Sequence, residues 1–109
     1  IDLLKSLEAK YDTAMLYVSD HGESLGENNL YLHGTPFPIA PRGQTHVPMV
    51  MWFSDGFAAR NRLNLDCMQQ RARADASHDH LFHTVLGLLD IHTSVRDNAL
   101  DLSAACRSR

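Results

Sequence analysis

Ser19-Asp20-His21-Gly22-Glu23-Ser24 places two carboxylates and an imidazole within four residues, directly after the apolar run Ala14-Met15-Leu16-Tyr17-Val18. A carboxylate oxygen and an imidazole nitrogen together suit Zn2+, with manganese or another transition ion as further options. Adjacent side chains inside a strand point to opposite faces. Where the chain turns off a strand end, helped by the freedom of Gly22, Asp20 and His21 converge on one ion. The place fits as well as the residue types, because ligands in open α/β sheets bind outside the carboxyl ends of strands. The plainer alternative is that Asp20 caps the following turn and His21 is an exposed polar residue.

Further candidates flank this pair. His33, in Tyr31-Leu32-His33-Gly34, and His46, in Gln44-Thr45-His46-Val47-Pro48, either bind a metal or an anionic group or simply order the loop that carries them. Glu23 and Glu27 are candidates for fixing the tautomer of a ligating histidine from behind. His78, His80 and His83 are better read as a polar helix face than as a metal cluster: His80 and His83 are three apart and His78 sits at the helix start. His92 carries no signal. Cys67 and Cys106 permit one disulfide without proving it. No Gly-x-x-x-x-Gly-Lys loop, Gly-x-Ser-x-Gly elbow, Cys-x-x-Cys pair or dinucleotide fingerprint is present.

The elements that must position these residues follow from periodicity. Ile1, Leu3, Leu4 and Leu7 share one side of an amphipathic helix over residues 1–10, with Lys5, Glu8 and Lys10 opposite. The run 14–18 then reads as a strand buried on both faces, which favours a parallel α/β sheet. Residues 21–45, punctuated by glycines and by Pro36, Pro38 and Pro41, form a long loop whose His, Glu and aromatic content marks it as functional. Val47–Phe53 is a second strand, with Pro48 expected at its start or on an edge. Residues 55–76 are polar and helical in part. A clearer helix follows, capped by Ser77 or Asp79, with Leu81, Phe82, Val85, Leu86 and Leu89 as its apolar stripe, widened by Leu88 and Ile91. The tail from Asn98 packs back through Leu100, Leu102 and Cys106.

Composition bounds the function. The chain has 109 residues, 44% of them hydrophobic, and a net charge of −3. By length it is one ordinary domain, able to bury roughly two thirds of its unfolded surface. The acidic balance gives no footprint for nucleic acid. No apolar stretch approaches the roughly 20 residues of a membrane-spanning helix.

The stretch Tyr17-Val18-Ser19-Asp20-His21-Gly22-Glu23-Ser24-Leu25-Gly26-Glu27-Asn28, with Tyr31-Leu32-His33-Gly34 and Gln44 to Trp52, closely resembles the lipid A phosphoethanolamine transferases, a family that includes the mobile colistin-resistance enzymes. Ser77 to Leu89 also looks like that family's near-C-terminal helix. The wider group is the alkaline phosphatase and sulfatase-like superfamily. The resemblance implies the C-terminal part of an α/β/α sandwich with a mostly parallel sheet, in a zinc-dependent periplasmic domain tethered to the inner membrane. It implies transfer of phosphoethanolamine from phosphatidylethanolamine to a threonine and then to lipid A. Asp20 and His21 match two zinc ligands, and His33 matches a histidine that binds the phosphoethanolamine group or an additional zinc. Glu23 and His46 are candidates for supporting that set from outside it.

The family's nucleophilic threonine, a glutamate ligand, another histidine and the membrane helices would lie upstream of residues 1–109. This chain, read as the later part of a catalytic domain, is therefore expected to bind zinc weakly and to lack transferase activity alone. Other readings remain: a sulfatase-superfamily hydrolase or phosphoglycerol-type transferase with another acceptor, or a non-catalytic remnant.

Overall fold

A computed structural model describes residues 1–108. The chain forms two compact units, Met15–Trp52 and the remainder, with Ile1–Ala14 joined to the chain from Phe53 onward.

In the Met15–Trp52 unit the two longer strands, β1 (Ala14–Val18) and β4 (Met49–Phe53), are hydrogen-bonded neighbours. Pro48 stands just before β4, where its missing N–H costs no ladder bond. The expected burial of 14–18 on both faces is not met. Its residues are at best half-buried and Tyr17 is 53% exposed. The long loop contains more structure than its glycines and prolines suggest. Ser24–Leu25 (β2) and Tyr31–Leu32 (β3) pair antiparallel, Leu25 opposite Tyr31 and Ser24 opposite Leu32. A return this short permits only antiparallel pairing, since a parallel crossover takes a dozen or more residues. Parallel character, expected of the wider sheet, is therefore not a property of this ribbon. Single 3-10 turns at Glu27–Asn29 and Phe37–Ile39, and the short helix α2 (Arg42–Thr45), complete the loop.

The other unit holds α1 (Asp2–Leu7), α3 (Asp55–Arg60), α4 (Leu65–Arg71) and α5 (Asp79–Leu88). Ser54 joins two of its parts: its Oγ accepts the N–H of Phe57, capping α3, and the N–H of Thr13 at 3.0 Å. Asn64 caps α4 by accepting from the N–H of Cys67. The Cys67–Cys106 disulfide forms, with Cα atoms 5.5 Å apart, and holds the tail where Asn64 donates to the Cys106 carbonyl.

The buried face of α5 differs from the expected stripe. Thr84, Gly87 and Leu88 are buried, while Phe82, Val85 and Leu89 are exposed. The winning contacts are polar and come from the tail. Thr84 Oγ1 accepts the N–H of Leu102. Buried Asp101 takes the N–H and hydroxyl of Ser103 on one oxygen and the Arg96 guanidinium on the other. The Arg107 guanidinium donates to the Gly87 carbonyl. Neither Ser77 nor Asp79 caps this helix, whose N-cap position is His78. The N–H of Ser77 meets Nδ1 of His80 instead.

Candidate functional site

The turn off β1 is shaped by short-range hydrogen bonds and one buried glutamine. Ser19 Oγ donates to the His21 carbonyl, and Asp20 Oδ1 accepts the N–H of His21 at 3.0 Å. Gly22 donates its N–H to the Gln44 carbonyl at 2.9 Å. A Cβ at Gly22 would overlap the carbonyl oxygen of Gly43, so only glycine lets these two backbones approach. Buried Gln44 then ties the loop together, donating from Nε2 to Ser24 Oγ at 2.8 Å and accepting the N–H of Thr35 on Oε1. Sequence reading missed Gln44. A lone glutamine in a Pro/Gly-rich loop carries no periodic or motif signal.

This scaffold brings three of the candidate side chains together. The imidazoles of His21 and His33 stack with centroids 3.8 Å apart. Glu23 Oε2 lies 3.2 Å from Nδ1 of His33. One ligand atom each from His21, Glu23 and His33 lies within 4.8 Å of the others, the spacing of a shared cation. Asp20 is not one of these three, but its Oδ2 lies 3.9 Å from Nε2 of His21. Hydrogen bonds from the backbone N–H groups of His21 and of Asp20 itself, then the charge of His21, hold the Asp20 carboxyl below its ordinary range. Glu27 is lowered as well, by its own N–H, the N–H of Leu25 and the Ser24 hydroxyl.

His46 stands outside this cluster and ends α2 through its backbone N–H, bonded to the Arg42 carbonyl. The three histidines of the α5 region do not assemble a metal site. His80 is engaged with Ser77, and His83 Nδ1 accepts the N–H of Asp97 at 2.9 Å.

The donor chemistry fits zinc. His21 Nδ1 meets the Gly22 carbonyl at 2.8 Å. A carbonyl only accepts, so Nδ1 carries a proton there and Nε2 is the ring atom left for a metal. A carbonyl behind the imidazole is the usual way a ligating tautomer is fixed.

Residues 1–91 match the sulfatase family. The chain belongs to that family. It is 48% identical over 108 residues to phosphoethanolamine transferase EptA of Salmonella typhimurium, an alignment covering 98% of this chain and 20% of that protein. The soluble domain of lipooligosaccharide phosphoethanolamine transferase A from Neisseria meningitidis superposes with a TM-score of 0.92 at 46% identity, covering 99% of this chain and 34% of that one. The integral membrane form of the Neisseria protein gives 0.91, covering 21% of its length. This sulfatase-family chain thus spans about a fifth of the curated relatives it matches. Its described residues contain no helix long and apolar enough to cross a membrane.

Proposed function

We propose that this sulfatase-family chain carries the metal- and phosphoryl-binding part of a transferase that moves phosphoethanolamine from phosphatidylethanolamine to lipid A. The supporting observation is the Asp20–His21 pair at the end of β1, with Nδ1 of His21 engaged by the Gly22 carbonyl, in a chain 48% identical to a phosphoethanolamine transferase. In the complete domain β1 and β4 would be strands of a mostly parallel sheet. The nucleophilic threonine, the remaining ligands and the membrane helices would be supplied by other parts of the protein, since the chain covers a fifth of its relative. The Cys67–Cys106 disulfide suits an oxidising compartment such as the periplasm.

Asp20 and His21 would hold zinc, which supplies Lewis-acid polarisation of the phosphoryl oxygens and a lowered hydroxyl pKa at the nucleophile. Glu23 accepts Nδ1–H of His33 and leaves Nε2 of that ring to meet the phosphoethanolamine group. The threonine hydroxyl would give up its proton as its oxygen bonds to phosphorus and the phosphorus–oxygen bond to diacylglycerol breaks, a proton passing to the departing diacylglycerol oxygen. A lipid A phosphate oxygen then attacks the same phosphorus and releases the threonine.

The test is mass spectrometry of lipid A from cells making the whole protein. A phosphoethanolamine adduct is expected with the parent sequence and lost with Asp20→Ala or His21→Ala at equal protein levels. Unmodified lipid A with the parent protein, or an adduct that survives both substitutions, refutes the assignment. The 109-residue chain alone should give no transfer.

A further inference from the structure

Resting on that reading, we infer that the segment Leu25–Ile39 is a docking face for the phospholipid bilayer surface, one that brings His33 to head-group depth. Five large apolar side chains lie nearly bare within fifteen residues: Leu25 is 83% exposed, Phe37 81%, Ile39 73%, Tyr31 70% and Leu32 67%. Leu25 and Tyr31 are opposite one another on the β2–β3 ribbon, so both project from the same face. Phe37 and Ile39 are carried by the 3-10 turn among Pro36, Pro38 and Pro41, which limit the backbone freedom of that projection. A narrow ribbon and a single turn offer protrusions rather than a flat face, a shape that inserts between lipid heads.

Charge selects the occupant. All thirteen carboxylates of the chain lie at or before Glu27 or at or after Asp55. From Asn28 to Ser54 there is no acidic residue, while His33, Arg42 and His46 are present. Glu27, the last acid before this gap, is folded back onto the N–H of Leu25 at 2.8 Å. Apolar side chains, an amphipathic tyrosine and the exposed Arg42 guanidinium complement an acyl-chain interior beneath anionic phosphates. Leu32 immediately precedes His33, so seating the ribbon seats the histidine.

Photocross-linking tests the inference in the intact protein. Phe37→p-benzoylphenylalanine in native membrane vesicles should give phospholipid adducts about tenfold above the same replacement at Gln69, on exposed α4. Adducts only to polypeptide, or a yield equal to that at Gln69, overturn it. In a second arm, the double variant Leu25→Asp/Phe37→Asp should lose about tenfold in transfer from a bilayer donor, yet keep its rate with water-soluble dihexanoyl phosphatidylethanolamine. Equal loss with both donors, or no loss with either, also overturns it. Lipid adducts in a parent protein that transfers from neither donor would refute the proposed function and leave the docking face standing.

Discussion

Glu23 Oε2 stands 3.2 Å from Nδ1 of His33, one step beyond the Ser24–Leu32 pair of the β2–β3 ribbon. Two residues ten apart meet because the antiparallel register continues through them. A carboxylate in this place fixes one histidine tautomer, and removing such a partner typically costs 10–100-fold in metal affinity or activity. Glu23→Ala should therefore lower phosphoethanolamine transfer by about one to two orders of magnitude. Glu23→Gln keeps an oxygen acceptor and should lose less. Nitrogen NMR of His33 checks the cause: its Nδ1-protonated tautomer should persist in Glu23→Gln and become mixed in Glu23→Ala.

In the proposed function Asp20 and His21 would contribute ligand atoms, whereas Glu23 would act through His33. Calorimetric zinc titration of the whole protein should show a loss of at least about a hundredfold in affinity for Asp20→Ala and for His21→Ala. His46→Ala, outside the cluster, should bind zinc like the parent. Equal affinity across all variants would remove Asp20 and His21 from the ligand set.

The turn that carries Asp20 and His21 was legible because its signal is local: an apolar run, then Asp-His-Gly, places both side chains just past a strand end. Helices α3 and α4 followed from the polar stretch 55–76, and the tail's return from Cys106. Other features depend on partners far along the chain. Gln44 organises the loop through Ser24 and Thr35, a non-local set with no spacing rule. The α5 stripe was legible at Leu88 and misread at Phe82, Val85 and Leu89, because periodicity reports which side chains are apolar, whereas burial also went to Thr84 and Gly87, the positions that accommodate the polar tail. Strand β1 reads as fully buried by its apolar run, yet burial also depends on what packs on each face, and here its residues are half-buried or exposed.

Gly87 sits in the interior of α5, where alanine would ordinarily favour the helix by about 1 kcal/mol. Here a Cβ would overlap the Asp101 carboxylate, which is itself buried and bonded to Arg96 and Ser103. Overpacking against so constrained a group typically costs about 1–3 kcal/mol, so the clash outweighs the propensity gain. Gly87→Ala should lower the thermal midpoint. A rise would show that the tail moves aside without loss.

The disulfide closes a loop with a sequence separation of 39 residues, between α4 and the 3-10 turn at Ala104–Cys106. On chain-entropy grounds such a link disfavours the unfolded state by about 4 kcal/mol. Guanidinium unfolding of the Cys67→Ser/Cys106→Ser double variant should shift to lower denaturant by a corresponding amount. Reductant should produce a similar shift in the parent and none in the variant.

Glu27 gives the ribbon a pH dependence of definite sign. Its carboxylate accepts the N–H of Leu25, and its folded pKa lies below the ordinary glutamate value. A depressed acid stabilises the fold above its unfolded pKa, and that stabilisation fades as pH falls through the lower, folded value. The Leu25 amide proton should accordingly hold its shift down through the ordinary glutamate range and move only at more acidic pH. In Glu27→Gln that step should vanish. An NMR titration with its midpoint at or above the ordinary glutamate value would show that the Leu25–Glu27 bond does not hold the carboxylate in solution.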